Sequence, residues 1–377
     1  MIDQKIIETL NNYTELDNYL IKNCVPKIFL VCGHSINHLT LGKYFDNMKS
    51  RIDIEVIKFS DFQPNPSYDS IVNGVNKFIE SQANTIIAVG GGSAIDVAKC
   101  IKIYSNMDHS KNYLQQKIVP NSIHLIAIPT TAGTGSEATR YAVIYYNGEK
   151  QSISDFSCIP SLVMLDPTVL KTLPLFQKKA TMLDALCHSL ESFWSVNSTA
   201  ESLKSSEAAL RIILSNISDY LNNSDTGNAN MMRASYIAGK AINITQTTAG
   251  HAMCYKLTKM YDIPHGYAAA LVNTELWPWM IANSERCCDK RGSKHLLGCF
   301  EKISEIFNTS SPCDAAKLFQ NIVNSLNMPV ISAKTEADID ILQASVNPVR
   351  LKNNPIKLET DDISYIYKRI LKITDRN

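Results

Sequence analysis

Residues 27–32 (LysIlePheLeuValCys) form a short apolar run that ends at Gly33, the pattern of a strand buried on both faces. Residues 52–59 alternate apolar and polar positions and stop at AspPheGlnProAsnPro, which predicts a further strand. Over 67–81, Ile71, Val75, Phe78 and Ile79 recur at helical spacing. The runs 85–89 and 122–128 are buried strands, each followed directly by a loop rich in Gly or in Pro, Thr and Gly. Strands separated by helical stretches of this length predict βαβ units and a parallel sheet. Residues 141–146, an AsnGly turn and LysGlnSerIleSer read as a hairpin, and 161–166 as a last strand.

From Leu175 the period changes to that of long helices. The spacing predicts helices over 175–195, 200–221, 228–246, 248–260 and 266–282, with more toward the C-terminus. Pro174 suits the first turn of a helix, so the expected division is an α/β domain over 1–173 and an all-α domain over 174–377.

The bulk properties narrow the partners. A chain of 377 residues is long for one core, which favours two domains. A net charge of +1 gives no basic face for nucleic acid, which points to a small-molecule partner. No window of about 18 apolar residues is present, so no membrane span is expected. The first residues lack a basic stretch followed by an apolar one, and ten scattered cysteines without a CxxC fit a reducing, cytoplasmic setting.

Two loops carry candidate chemistry. GlyGlyGlySer at 90–93 follows a strand and opens a helix, where free N–H groups of Gly91, Gly92 and Ser93 suit an anion such as a pyrophosphate. The alternative is a tight turn with Ser93 as N-cap. ProThrThrAlaGlyThrGlySerGlu (129–137) places Thr130, Thr131 and Thr134 after the next strand, again at the end where open α/β sheets bind ligands. Together the loops argue for a nucleotide.

In the second half, Asp184 and His188 lie four apart on one helix face, His251 opens another helix and His265 follows a proline. Three imidazoles and a carboxylate suit Fe(II) or Zn(II), not calcium. Taken singly, Asp184 and His188 also fit an ordinary helix contact, and His265 a surface loop.

The motifs GlyGlyGlySerAlaIleAspValAlaLys, IleProThrThrAlaGlyThrGlySerGlu, AspAlaLeuCysHisSerLeuGlu and IleProHisGly resemble, in order and spacing, the iron-containing (group III) alcohol dehydrogenases, through at least residues 27–282. That resemblance implies a Rossmann-like N-terminal domain with a parallel sheet and an all-α C-terminal domain, the architecture shared with dehydroquinate synthase. It implies Asp184, His188, His251 and His265 as ligands of a divalent metal, Fe2+ favoured and Zn2+ the alternative. It further implies cofactor contacts at Gly91, Gly92, Ser93, Asp96, Thr130, Thr131, Thr134 and Lys150.

Two departures from the family pattern stand out. Tyr255 occupies a position where many members carry a proton-relaying histidine, so Tyr255 and His265 are the candidate catalytic groups. Gly33, His34 and Ser35 follow the first strand without the carboxylate of NAD-selective members, which favours NADPH over NADH. The stretches 191–202 and 255–268 are similar to phosphonoacetaldehyde reductases. The expected reaction is then reduction of phosphonoacetaldehyde to 2-hydroxyethylphosphonate, with Arg140, Ser195, Asn197 and Lys259 toward the phosphonate and a homodimer as the assembly. The alternatives are a dehydrogenase for uncharged alcohols and aldehydes, and a lyase like dehydroquinate synthase.

Overall fold

A computed structural model describes residues 4–335 and 337–372. The strands are β1 (Lys5–Glu8), β2 (Lys27–Cys32), β3 (Glu55–Phe59), β4 (Thr85–Gly90), β5 (His124–Pro129), β6 (Tyr141–Tyr146), β7 (Glu149–Ser154) and β8 (Leu162–Leu165). Among them run α1 (Thr14–Lys22), α2 (Thr40–Asp46), α3 (Met48–Ile52), α4 (Tyr68–Ser81) and α5 (Gly92–Tyr104). The remainder is helical: α6 (Leu175–Trp194), α7 (Ala200–Leu221), α8 (Asp225–Thr245), α9 (Ala249–Tyr261), α10 (His265–Ala282), α11 (Ser293–Ile306), α12 (Pro312–Ser325), α13 (Ala337–Ala344), α14 (Pro348–Leu351) and α15 (Thr360–Ile370). No helix among the described residues is long and apolar enough to cross a membrane.

Contacts divide the chain into two units, 1–173 with 223–236, and 174–222 with 237–377. The segment 223–236 joins the first unit through an Arg233–Glu8 ion pair and a 2.7 Å hydrogen bond from the Tyr236 hydroxyl to Gln4 Oε1.

The first unit holds a six-stranded sheet in the order β1-β8-β5-β4-β2-β3, every pair parallel. β4 is buried from end to end and β5 from Leu125 onward, which is why their sequences run apolar without alternation. α4 buries Ile71, Val75 and Phe78 on this sheet, with Ser67 accepting from Ser70 N–H as its N-cap. Phe29 anchors the same core between Phe59 and Phe78, at ring separations of 5.8 and 5.4 Å. β6 and β7 form the expected hairpin, with Asn147 and Gly148 both at positive φ.

One local expectation fails and one strand has no counterpart in the sequence reading. The strand expected over 52–59 begins only at Glu55, because α3 runs to Ile52 and ends in a left-handed Asp53. β1 carries no strand signal in the sequence. Four residues on the sheet edge, of which only Ile7 is buried, are too few to show alternation.

In the second unit, α6 is buried along nearly its whole length and packs against α7 and α10. From Met182 to Trp194 every residue is buried, Asp184, His188 and Glu191 included.

Candidate metal and nucleotide sites

The two polar loops of the first unit meet. β4 and β5 are neighbours with Gly90 opposite Pro129, and Thr130 N–H donates to Gly90 O at 3.0 Å. A Cβ on Gly91 would come within 3.3 Å of Thr131, and one on Gly92 within 3.1 Å of Thr134. The turn is therefore a cradle that side chains would fill, lined on one side by threonine hydroxyls. Gly91 holds the N-cap position of α5, so Ser93 lies inside the first turn and is not the cap.

α5 fastens the second loop from below. Asp96 accepts from Ser136 Oγ at 2.7 Å and from Val143 N–H at 3.0 Å. Burial pushes its carboxyl up, against the nearby Lys99 and Lys150 charges. Lys99 is fully buried and donates to Ser136 O at 2.7 Å and to Tyr141 O at 2.6 Å. Lys99 was not foreseen as a site residue, although its place one turn after Asp96 is a readable signal. Lys150 sits on β7 opposite Tyr145. Gly33, His34 and Ser35 leave the end of β2 in a 3-10 turn, with His34 and Ser35 exposed. Arg140 lays its guanidinium over the rings of Tyr141 and Phe156, at 5.0 and 4.8 Å.

In the second unit, Asp184, His188 and His251 bring one donor atom each to within 4.8 Å of the others, all three buried. His188 and His251 stack with ring centres 4.6 Å apart. His251 Nε2 lies 3.3 Å from Asp184 Oδ1, and His188 Nε2 3.7 Å from the same oxygen. His265, first residue of α10, stands beside this group with its ring 5.3 Å from that of His251. Gly266 allows that approach, since a Cβ there would lie 2.2 Å from Ala180 O and 2.6 Å from Asp184 Cβ.

Glu191 organises the group and was missed as a site residue. Its Oε1 is 2.6 Å from His251 Nδ1, and its Oε2 accepts from Thr248 N–H at 2.6 Å. Oε2 also receives His251 N–H at 3.4 Å, so a carboxylate from α6 caps the first turn of α9. Asn273 Nδ2 completes the set at 3.0 Å. The spacing Asp184, His188, Glu191 (i, i+4, i+7) is the stripe that would have revealed it.

The charges interlock. Burial alone would raise Asp184, yet the charge on His188, the His251 hydrogen bond and the nearby His265 hold its carboxyl well below the usual range. Burial works against a charged His251, but Glu191 and Asp184 raise it to about 10. Burial likewise opposes ionisation of Glu191, while His251, Asn273 and Thr248 bring it down to about 2. Two buried carboxylates facing clustered imidazoles form a donor set that a divalent cation suits.

Tyr255, one turn beyond His251, stacks flat on His265 with ring centres 5.6 Å apart. Burial raises its hydroxyl, opposed by the charge on Arg350. Ser195 and Asn197 end α6 in a network of their own: Ser195 Oγ donates to Thr245 O at 3.1 Å, and Asn197 Nδ2 donates to Asn353 Oδ1 at 3.0 Å. Lys259 is exposed in the last turn of α9.

With this geometry in hand, comparison with known proteins is decisive. Residues 4–167 match the iron-containing alcohol dehydrogenase model, and residues 178–371 match the model of that family's C-terminal region. The chain belongs to the iron-containing alcohol dehydrogenase family. It is 30% identical over 265 residues to aldehyde-alcohol dehydrogenase 2 of Entamoeba histolytica, covering 66% of this chain and 30% of that protein. The chain therefore spans about a third of the length of that relative. A phosphonoacetaldehyde reductase of Streptomyces viridochromogenes is 25% identical over 309 residues, 78% of each chain. The solved sulfoacetaldehyde reductase of Bifidobacterium kashiwanohense, in complex with NAD+, shares the fold with a TM-score of 0.88 at 22% identity, over 99% of this chain and 98% of that one.

Proposed function

We propose that this protein reduces an aldehyde to its alcohol with a nicotinamide cofactor and a divalent metal, and that the aldehyde is phosphonoacetaldehyde, giving 2-hydroxyethylphosphonate. The observation that carries the reading is the buried Asp184–His188–His251 group with its donor atoms within 4.8 Å. These three residues would hold the metal, Fe2+ in first place and Zn2+ second, with His265 as fourth ligand. When bound, such an ion supplies Lewis acidity toward a carbonyl oxygen.

The chain's own work is to hold groups in place. Glu191 fixes the His251 ring through Nδ1 and leaves Nε2 for the ion. Gly91, Gly92 and Ser93 would receive the pyrophosphate at the start of α5, beside Thr130, Thr131 and Thr134. Asp96, with Lys150 near it, keeps that loop pair in register. At Gly33, His34 and Ser35 no carboxylate opposes a 2′-phosphate, which supports NADPH over NADH. Burial raises the Tyr255 hydroxyl, so it would keep its proton at neutral pH, and from its place against His265 it would donate toward an oxygen held there.

The phosphonate would need a cation. The names of the Streptomyces and Bifidobacterium proteins both denote two-carbon aldehydes ending in an acid group, which supports an anionic substrate. Arg140 and Lys259 are the cations expected from the sequence, with Ser195 and Asn197 as polar contacts. Arg350 joins them, because its charge acts on Tyr255. The protein is proposed to work as a homodimer in the cytoplasm. One observation favours an uncharged aldehyde instead: the Arg140 guanidinium already packs on Tyr141 and Phe156.

Rates of NADPH and NADH oxidation with phosphonoacetaldehyde and with propanal test the substrate. The expected kcat/KM is higher for the phosphonate by about tenfold or more, the worth of one charge-assisted contact. Arg140→Ala and Arg350→Ala are each measured on both aldehydes, and the residue that binds the phosphonate raises KM for phosphonoacetaldehyde alone. Equal or better turnover of propanal would reject the phosphonate. Absence of net NADPH consumption would favour a lyase.

A further inference from the structure

The two histidines contributed by α9 and α10 are aimed by different atoms. His251 Nδ1 faces a carboxylate oxygen of Glu191 at 2.6 Å. His265 Nδ1 faces the sulfur of Cys254 at 3.4 Å. The same thiol donates its own hydrogen to His251 O, the carbonyl three residues back, also at 3.4 Å. A cation held at His265 Nε2 requires the ring hydrogen on Nδ1, and the sulfur facing Nδ1 then acts as the acceptor while the thiol hydrogen goes to His251 O.

Cys254 itself is fully buried. It lies on α9 between His251 and the stacked Tyr255. A thiol sulfur is a weak acceptor, whereas a carboxylate partner strengthens a histidine as a ligand. The two rings are therefore unequal: His251 is backed by full negative charge and His265 by a polarizable neutral atom.

We propose that Cys254 is a positioning residue that fixes the Nδ1–H tautomer of His265, and that its weak acceptor makes His265 the ligand the metal releases most readily. The inference rests on the metal reading above and adds a residue and an order of ligand strength to it.

A double-mutant cycle read by zinc affinity tests it, with a chromophoric chelator as competitor and no turnover involved. Cys254→Ala is expected to weaken zinc binding by about tenfold, the low end for loss of an outer-sphere partner. In a His265→Ala background the same change is expected to alter affinity by less than about twofold, because its target ring is gone. Cys254→Ser, which keeps an acceptor, should recover part of the loss. Cys299→Ala removes another buried thiol of the same helical unit, one 3.5 Å from His295 Nε2, and should leave zinc binding unchanged. Zinc-loaded protein should also show His265 as the Nδ1–H tautomer in long-range ¹H–¹⁵N spectra, and Cys254→Ala should shift those resonances. Wild-type affinity in Cys254→Ala, an equal loss in both backgrounds, or an equal loss in Cys299→Ala would each overturn the proposal. Failure of the wild type to bind zinc, iron or cobalt would instead remove the metal reading on which it rests.

Discussion

The Gly91–Gly92 turn and the Asp184–His188–His251 group would bind by opposite means. The turn works by what is missing, since backbone N–H groups are uncovered where side chains would meet Thr131 and Thr134. The donor group works by what is added: buried side chains, each oriented by another buried side chain. A site of the first kind is damaged by enlarging a residue and one of the second kind by removing a partner, so the two fail differently.

The largest effect belongs to the donor group. His265→Ala should lose bound metal and lower kcat by about 10³-fold or more, several kcal/mol of Lewis-acid stabilisation. Metal analysis and steady-state rates check this, and unchanged activity would remove His265 from the ligand set. Gly266→Ala comes next and sharpens the contrast, because here a glycine serves the donor group. Its Cβ would collide with Ala180 O and Asp184 Cβ, so a loss of about 1–3 kcal/mol is expected in chemical unfolding. Glu191→Gln keeps the shape but removes the charge behind His251. Metal affinity should fall about 10–100-fold with little change in the affinity for nucleotide. In the other region, Gly92→Ala should raise the KM for nucleotide by roughly tenfold while leaving metal affinity and the melting temperature nearly unchanged.

The donor group should also show a pH dependence. His251 is raised to about 10 in the folded, metal-free chain, above its unfolded value of about 6.5. The folded state therefore holds an extra proton between these values. Its stabilisation is complete below about pH 6.5 and is lost as pH rises toward 10. The metal-free protein should melt at progressively lower temperature from pH 7 to 10, while metal-loaded protein, with Nε2 occupied, should lose less. Parallel curves would contradict the interlocked charges.

The same contrast explains what could be read from the sequence. Gly91, Gly92 and the threonine loop announce themselves because a cradle made of backbone needs glycine directly after a buried strand. Asp184 and His188 were legible through helix periodicity and the family pattern. Glu191 lies on the same helix stripe as Asp184 and His188, but its role, like that of Cys254, appears only once α9 and α10 fold against α6 and each meets a ring nitrogen. Lys99 is signalled by its place one turn after Asp96, but what its buried ammonium holds is explained only by the four oxygens around it. β1 escaped because a four-residue edge strand has no pattern of its own.

Removal and return of the metal test the central claim most directly. Protein stripped by chelator and reloaded with Fe2+ or Zn2+ is assayed for NADPH oxidation by phosphonoacetaldehyde. The account predicts negligible rates when stripped, recovery with close to one ion per chain, and no recovery in His251→Ala. Full activity in the stripped protein, or recovery in His251→Ala, would contradict it.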